Sequence, residues 1–288
     1  KMKFKNFKLN KIKVNNIFIN YRIYGNGEPI LLLHGYPQTH IMWRKIAPTL
    51  SKEYTVVCSD LRGYGDSSKP KSDKNHSPYS KKNMASDQIK LMKSLGFKKF
   101  YLIGHDRGGR VAHRMAMNNK NILKCILLDI VPTNTVFEQA NTKLAMNYYH
   151  WFFLSQKSPL PEKLIESNSE FFLKSKLKMW GKTDKFIDNK TMKEYLRCFS
   201  SKTIYASCED YRAAATIDIK EHYKDKLKKI LCPLLILWGK KGTVDKMYNP
   251  LREWKKYANN VQGHSINCGH FIAEEKPKEL IKSINNFF

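Results

Sequence analysis

The heptapeptide Gly104-His105-Asp106-Arg107-Gly108-Gly109-Arg110 sets a carboxylate between an apolar run, "KFYLIG", and a helix-forming segment that starts near Arg107. Glycines two before and two after Asp106 suit a sharp strand-to-helix turn, where the backbone passes close to itself and leaves no room for side chains. Such a turn holds its central side chain out at the edge of a sheet. A serine there would have to lose a proton as it attacks an acyl carbon. A carboxylate is already ionised and can displace a leaving group from a saturated carbon, leaving an ester of the protein. Asp is also a common helix N-cap, and the pattern alone leaves that reading open. Two other segments carry matching chemistry. "HGYP", His34 to Pro37, follows an earlier apolar run and could lend a backbone amide to an oxyanion. "NCGHFIAEEKP" sets His270 on a loop before the last helix, where it can act as a base or be an ordinary surface histidine.

The elements that must position these groups follow from the apolar pattern. "FKLNKIKV" and "IFINYRIYG" flank Asn15-Asn16 and read as an antiparallel hairpin. Continuous apolar runs then alternate with helix-length stretches: "ILLLHG", a helical stretch to Leu50, "YTVVCSD", a helix from about Tyr79 to Leu95, "KFYLIG", a helix from Arg107, and "CILLDIV". Continuous rather than alternating apolar strands imply an α/β fold with a mostly parallel sheet covered by helices on both faces. At Val131-Pro132 the rhythm breaks, and to about Tyr223 only helical, aromatic-rich segments such as "AMNYYHWFFL" and "EFFLKSKLKMW" appear. The expectation is a sheet core in two parts, 1–131 and 223–288, with an inserted all-helical cap at 132–222. "PLLILWG" and "GHSINCGH" supply the last strands and "KPKELIKSINNFF" the closing helix.

Composition narrows the class. Of 288 residues, 52 are basic and 25 acidic, a net charge of +27, but the lysines are scattered without a basic block or aromatic ladder. A solvated lysine surface that attracts small anions is expected, not a nucleic-acid partner. Six dispersed cysteines without a C-x-x-C pair suit reduced thiols, and no apolar run approaches bilayer length. These features lead to the expectation of a cytoplasmic protein with no membrane partner. No metal-ligand spacing and no dinucleotide fingerprint is visible, so no cofactor is expected; water would suffice.

Nearly the whole chain resembles the α/β-hydrolases with an aspartate nucleophile, which include haloalkane dehalogenases, epoxide hydrolases and fluoroacetate dehalogenases. "LLLHGYPQTHIMWRKIAP", "GHDRGGRVAHRMA", "LLDIVPTNTVFE", "YYHWFF" and "CEDYRAAATID" are similar to the last of these. The resemblance implies the chain order nucleophile, acid, histidine, with Asp106 attacking and His270 activating water. It implies oxyanion donors at the amides of Tyr36 and Arg107, and the carboxylate of a 2-haloacid on Arg107 and Arg110, whose paired guanidinium groups suit an anion. It implies halide binding by His150, Trp151 and Tyr211, and a homodimer. Many relatives carry the triad acid after "PLLILWG", where this chain has Gly242 and, three residues on, Asp245. The fluoroacetate type takes it from "CILLDIVP", which assigns Asp129 and leaves Asp245 in reserve.

The reaction these residues would perform is hydrolysis of small haloacetates, fluoroacetate or chloroacetate, to glycolate and halide through an aspartyl ester. Each assignment has a plainer alternative: the arginines could pair with nearby acids, Asp129 could cap a turn, and the cap aromatics, Trp180 included, could be core. Two functional alternatives also stand. An epoxide hydrolase would need two cap hydroxyls, Tyr211 with Tyr148, Tyr149 or Tyr195. A non-catalytic small-molecule binder would keep the fold and lose turnover.

Overall fold

The computed structural model describes Phe4, residues 6–182 and residues 185–288. Eight strands form one sheet: β1 (Lys8–Val14), β2 (Ile17–Tyr24), β3 (Pro29–Leu33), β4 (Thr55–Ser59), β5 (Phe100–His105), β6 (Ile122–Leu128), β7 (Leu234–Gly239) and β8 (Val261–Ile266). Their order is β1-β2-β4-β3-β5-β6-β7-β8. The first two form the expected hairpin, with Asn15 and Asn16 both at positive φ, as a tight two-residue turn between twisted strands requires. β2 pairs antiparallel with β4, and every later pair is parallel.

β3 and the centre of β5 and β6 are buried on both faces, which is why Leu31, Leu32 and Leu33 appear as an unbroken run. Each such side chain contributes roughly 1.5–3 kcal/mol on leaving water. The helices that cover the sheet include α1 (Lys81–Ser94), α2 (Arg107–Asn118) and the closing α6 (Pro277–Phe287). Between β6 and β7 the described residues form only helices and their connections, among them α3 (Tyr149–Leu154), α4 (Ser169–Gly181) and α5 (Ser201–Ala213).

Two expectations are corrected here. The helical stretch before Leu50 is split into a 3₁₀ segment, His40–Lys45, and a single α turn, Ala47–Leu50, whose first turn holds Pro48. The lysines are not all solvated: Lys81 and Lys176 are buried, the first by ion pairs and the second among aromatic rings. All six cysteines are free thiols. Among the described residues no helix is long and apolar enough to cross a membrane.

The sheet order puts β3 between β4 and β5, so the chain leaves the ends of β3 and β5 in opposite directions and opens a crevice there. Leu33 pairs with Gly104 and His105 with Leu128, which levels the carboxyl ends of β3, β5 and β6. Tyr36, Asp106 and Asp129 follow directly.

Candidate active site

Asp106 stands at the bend between β5 and α2 with φ 49° and ψ −115°, a conformation that costs a non-glycine residue about 1–3 kcal/mol. Its side chain caps nothing on α2. Instead Oδ1 accepts the Tyr36 backbone N–H at 2.8 Å, across 70 residues of sequence. Close approach explains the glycines: a Cβ on Gly108 would lie 2.2 Å from the His34 carbonyl oxygen, and one on Gly35 would lie 2.3 Å from the Asp106 Cβ. Arg107, the first residue of α2, carries a backbone N–H that the helix itself does not use.

His270 follows β8 and faces the same carboxylate. Its Nδ1 donates to Asp129 Oδ2 at 2.5 Å, which fixes the tautomer and leaves Nε2 as the basic nitrogen. Nε2 lies 3.7 Å from Asp106 Oδ2, beyond hydrogen-bond range, and has no partner. Asp129 is itself held at φ 53°, and its Oδ1 accepts the Gly239 N–H at 2.8 Å. Asp245 is exposed and accepts from the Trp238 indole at 2.7 Å, so it takes no part in this array. A Cβ on Gly242 would lie 3.5 Å from Asp129 Oδ2. The two places from which an acid could reach His270 therefore converge, and here glycine occupies one of them.

The loop of His270 is fixed on every side. Its N–H donates to the Trp180 carbonyl at 3.0 Å, and its carbonyl accepts from His105 Nε2 at 2.9 Å. Glu275 accepts the flanking amides of Gly269 and Phe271 at 2.8 and 2.9 Å. Burial works against a charged His270, but the hydrogen bond and charge of Asp129 outweigh it, so the imidazole's pKa is raised. For Asp106, burial favours the neutral acid and the charges of His270, His105 and Arg107 overcome it, so the carboxylate stays ionised.

The two arginines of α2 are not an equivalent pair. Arg107 is fully buried and turned toward Asp210 of α5: Nε donates to Oδ2 at 2.9 Å and Nη2 to Oδ1 at 2.7 Å, leaving Nη1 without a partner. The ion-pair alternative thus describes most of this guanidinium, and it does not line the cavity. Arg110 does, beside Asp106 and His270. Its Nη1 donates to the Val131 carbonyl and Thr133 Oγ1, its Nε has no partner among the described residues, and its Cζ lies 4.3 Å from the centre of the Trp151 ring. Burial and the neighbouring Arg107 charge lower its pKa to about 10, so it stays cationic at neutral pH. The cavity is small, with room for roughly one or two waters.

This geometry agrees with the comparisons to known proteins. Residues 28–277 match the family described as "alpha/beta hydrolase fold". The chain belongs to the α/β-hydrolase family. It is 40% identical over 288 residues to a fluoroacetate dehalogenase from Burkholderia sp, covering 99% of this chain and 94% of the relative. It is 31% identical to a soluble epoxide hydrolase from Corynebacterium sp. (strain C12), covering 96% and 95%. Among solved structures, an alpha/beta hydrolase from Nostoc sp PCC 7120 is 48% identical with a TM-score of 0.97, covering 99% of this chain and 98% of that one.

In this α/β-hydrolase the helical insertion brings His150, Trp151 and Tyr211 together over Asp106. Their rings pack edge-on, His150 5.7 Å and Trp151 5.8 Å from Tyr211, and all three are buried. His150 Nδ1 and the Tyr211 hydroxyl have no partner, nor has Trp180 Nε1, which belongs to a cavity-lining ring. Buried donors left unsatisfied are uncommon in folded proteins, and several gathered around one cavity suit an anionic guest. Of the other tyrosines, Tyr148 lines the cavity, Tyr149 is part-exposed, and Tyr195 bonds to Gln38 and Glu274 outside it.

Asp210 is the functional group that the sequence reading missed. It binds Arg107 and Lys81, accepts the Tyr64 hydroxyl at 2.7 Å, and stands beside Tyr211 in "CEDYRAA". Its only signal in sequence was an acid next to a proposed halide donor.

Proposed function

We propose that this hydrolase is a 2-haloacid dehalogenase that converts small haloacetates, fluoroacetate and chloroacetate among them, to glycolate and halide. The observation that carries the reading is Asp106 itself: an ionised carboxylate with Oδ1 on a backbone amide and Oδ2 free, facing the His270–Asp129 pair and the cationic Arg110. Arg110 holds the substrate carboxylate, with the charge of Arg107 behind it. Oδ2 of Asp106 attacks C2, the carbon–halogen bond breaks, and the halide leaves with its electron pair toward His150, Trp151 and Tyr211. Hydrogen bonds that strengthen as this charge develops matter most for fluoride, a poor leaving group.

Esterification removes the charge on Asp106, one of the influences that raise the His270 pKa. The imidazole is then a free base when it is needed. Nε2 takes a proton from water, the oxygen attacks Cγ of Asp106, and the oxyanion on Oδ1 is held by the Tyr36 amide and that of Arg107. Collapse breaks the bond between Cγ and Oδ2, the His270 imidazolium returns its proton to the departing alkoxide, and glycolate leaves while Asp106 keeps one solvent oxygen. The carbon is attacked once, so a chiral 2-haloacid is inverted. The helices of 132–222 serve as the cap that supplies the halide donors and shields the ester.

The test is His270→Asn incubated with fluoroacetate. A single burst of fluoride with one carboxymethyl adduct on Asp106 is expected; a folded variant with neither result refutes the reading. Epoxide hydrolysis remains the second reading, favoured by Tyr148 at the cavity and Tyr211 above it. It leaves Arg110 without a ligand, and turnover of a neutral epoxide that survives Arg110→Met would favour it.

A further inference from the structure

Lys176 is the most unusual cation in the molecule. It sits on α4, is 1% exposed, and its ammonium has neither an ion pair nor a hydrogen bond among the described residues. Aromatic rings enclose it: the centre of Tyr149 lies 3.6 Å from Nζ, Phe172 5.1 Å and Trp180 5.5 Å. Phe172, Lys176 and Trp180 are four residues apart, so one helical face presents all three. Cation–π attraction offsets part of the lost hydration. Even so, burial lowers this amine to about 7. A methionine would fill the space without that cost, so an amine still about half protonated at neutral pH calls for a reason outside its own cage.

The reason lies one residue away. Tyr149, which covers the ammonium, precedes His150, and Trp180 bridges the two, 5.5 Å from Nζ and 4.5 Å from the imidazole centre. After burial itself, the Lys176 charge is the largest influence keeping His150 neutral. The imidazole can then offer a single N–H without carrying a proton away with the product. Charge in so poorly hydrated an interior is weakly screened and acts across several ångströms.

Resting on the dehalogenase reading, we propose that Lys176 is a positioning residue for the leaving halide: its ammonium, behind His150 and Trp180, supplies the positive potential into which the halide departs. The potential acts on the unit negative charge of any departing halide, so it assists loss of fluoride and of chloride alike.

The test compares wild type with Lys176→Met and Lys176→Gln. Chloride binding is read by quenching of the tryptophans that border the site, a measurement that needs no turnover. Both variants are expected to bind chloride about tenfold more weakly at pH 6, where the wild-type amine is charged, and to lower kcat for both haloacetates. Lys176→Met should melt no lower than wild type. Unchanged chloride affinity at pH 6 in a folded Lys176→Met, or unchanged kcat for both substrates, overturns the proposal. Wild-type release of fluoride, measured alongside, tests the dehalogenase reading separately.

Discussion

Removing the charge of Asp210 tests whether the insertion is bolted by electrostatics to the helix that follows Asp106. Asp210 is completely buried on α5. It accepts two side-chain hydrogen bonds from Arg107 at the start of α2, an ion pair from Lys81 at the start of α1, and the Tyr64 hydroxyl. Lys81 also pairs with Asp218 at 3.3 Å, so the buried group balances two cations against two anions. Asp210→Asn leaves one positive charge uncompensated, and breaking a buried pair in this way costs about 3–5 kcal/mol. The amide carbonyl can still accept from Lys81 or Tyr64, which favours the lower end. For a chain of this length that is a fall in melting temperature of roughly 6–10 °C. Burial alone would raise the Asp210 pKa, but Arg107 and Lys81 depress it. The contribution is therefore complete above about pH 4, the ordinary unfolded value, and is lost only as pH falls through the lower folded value. Urea unfolding at pH 7 and pH 5 should show the same deficit. The double variant Lys81→Met/Asp210→Asn restores charge balance and should recover at least half of the loss. A deficit under about 1 kcal/mol, or a double variant no more stable than Asp210→Asn, would show that packing and not charge joins the layers.

Arg110→Met should lower kcat/KM for haloacetates by about ten- to a hundredfold, the worth of one charged hydrogen bond, with the larger change in KM; steady-state kinetics with an unchanged KM would place the substrate carboxylate elsewhere. Because Asp129 raises the pKa of His270, the base is protonated and idle below that raised value, so the acid limb of the kcat profile should lie above the ordinary histidine value of about 6.5. Asp129→Asn should move that limb to lower pH and slow ester hydrolysis by about 10²–10⁴-fold; a limb that stays in place would mean another group titrates there.

Features with a local physical signature were legible in the sequence. The Asn15-Asn16 turn, the unbroken apolar strands and the glycines around Asp106 each reflect a constraint acting within a few residues, and each has its counterpart in the structure. The acid for His270 was harder, because strand ends that converge on one point can supply it from either side; the 3.5 Å between a Cβ on Gly242 and Asp129 is the reason. Asp210 was out of reach: its bond to Arg107 spans 103 residues, and no spacing rule links them. Lys176 is the instructive case. Among so many lysines it passed as surface, yet Phe172, Lys176 and Trp180 share one helical face, and a cation placed regularly between large aromatics on the buried side of a helix is a local signal. Charge counts average over such positions, whereas periodicity read residue by residue separates the lysine that faces water from the one that faces the site. The difference matters because the buried cation sits beside the group proposed to take the halide, where its effect on the reaction can be large.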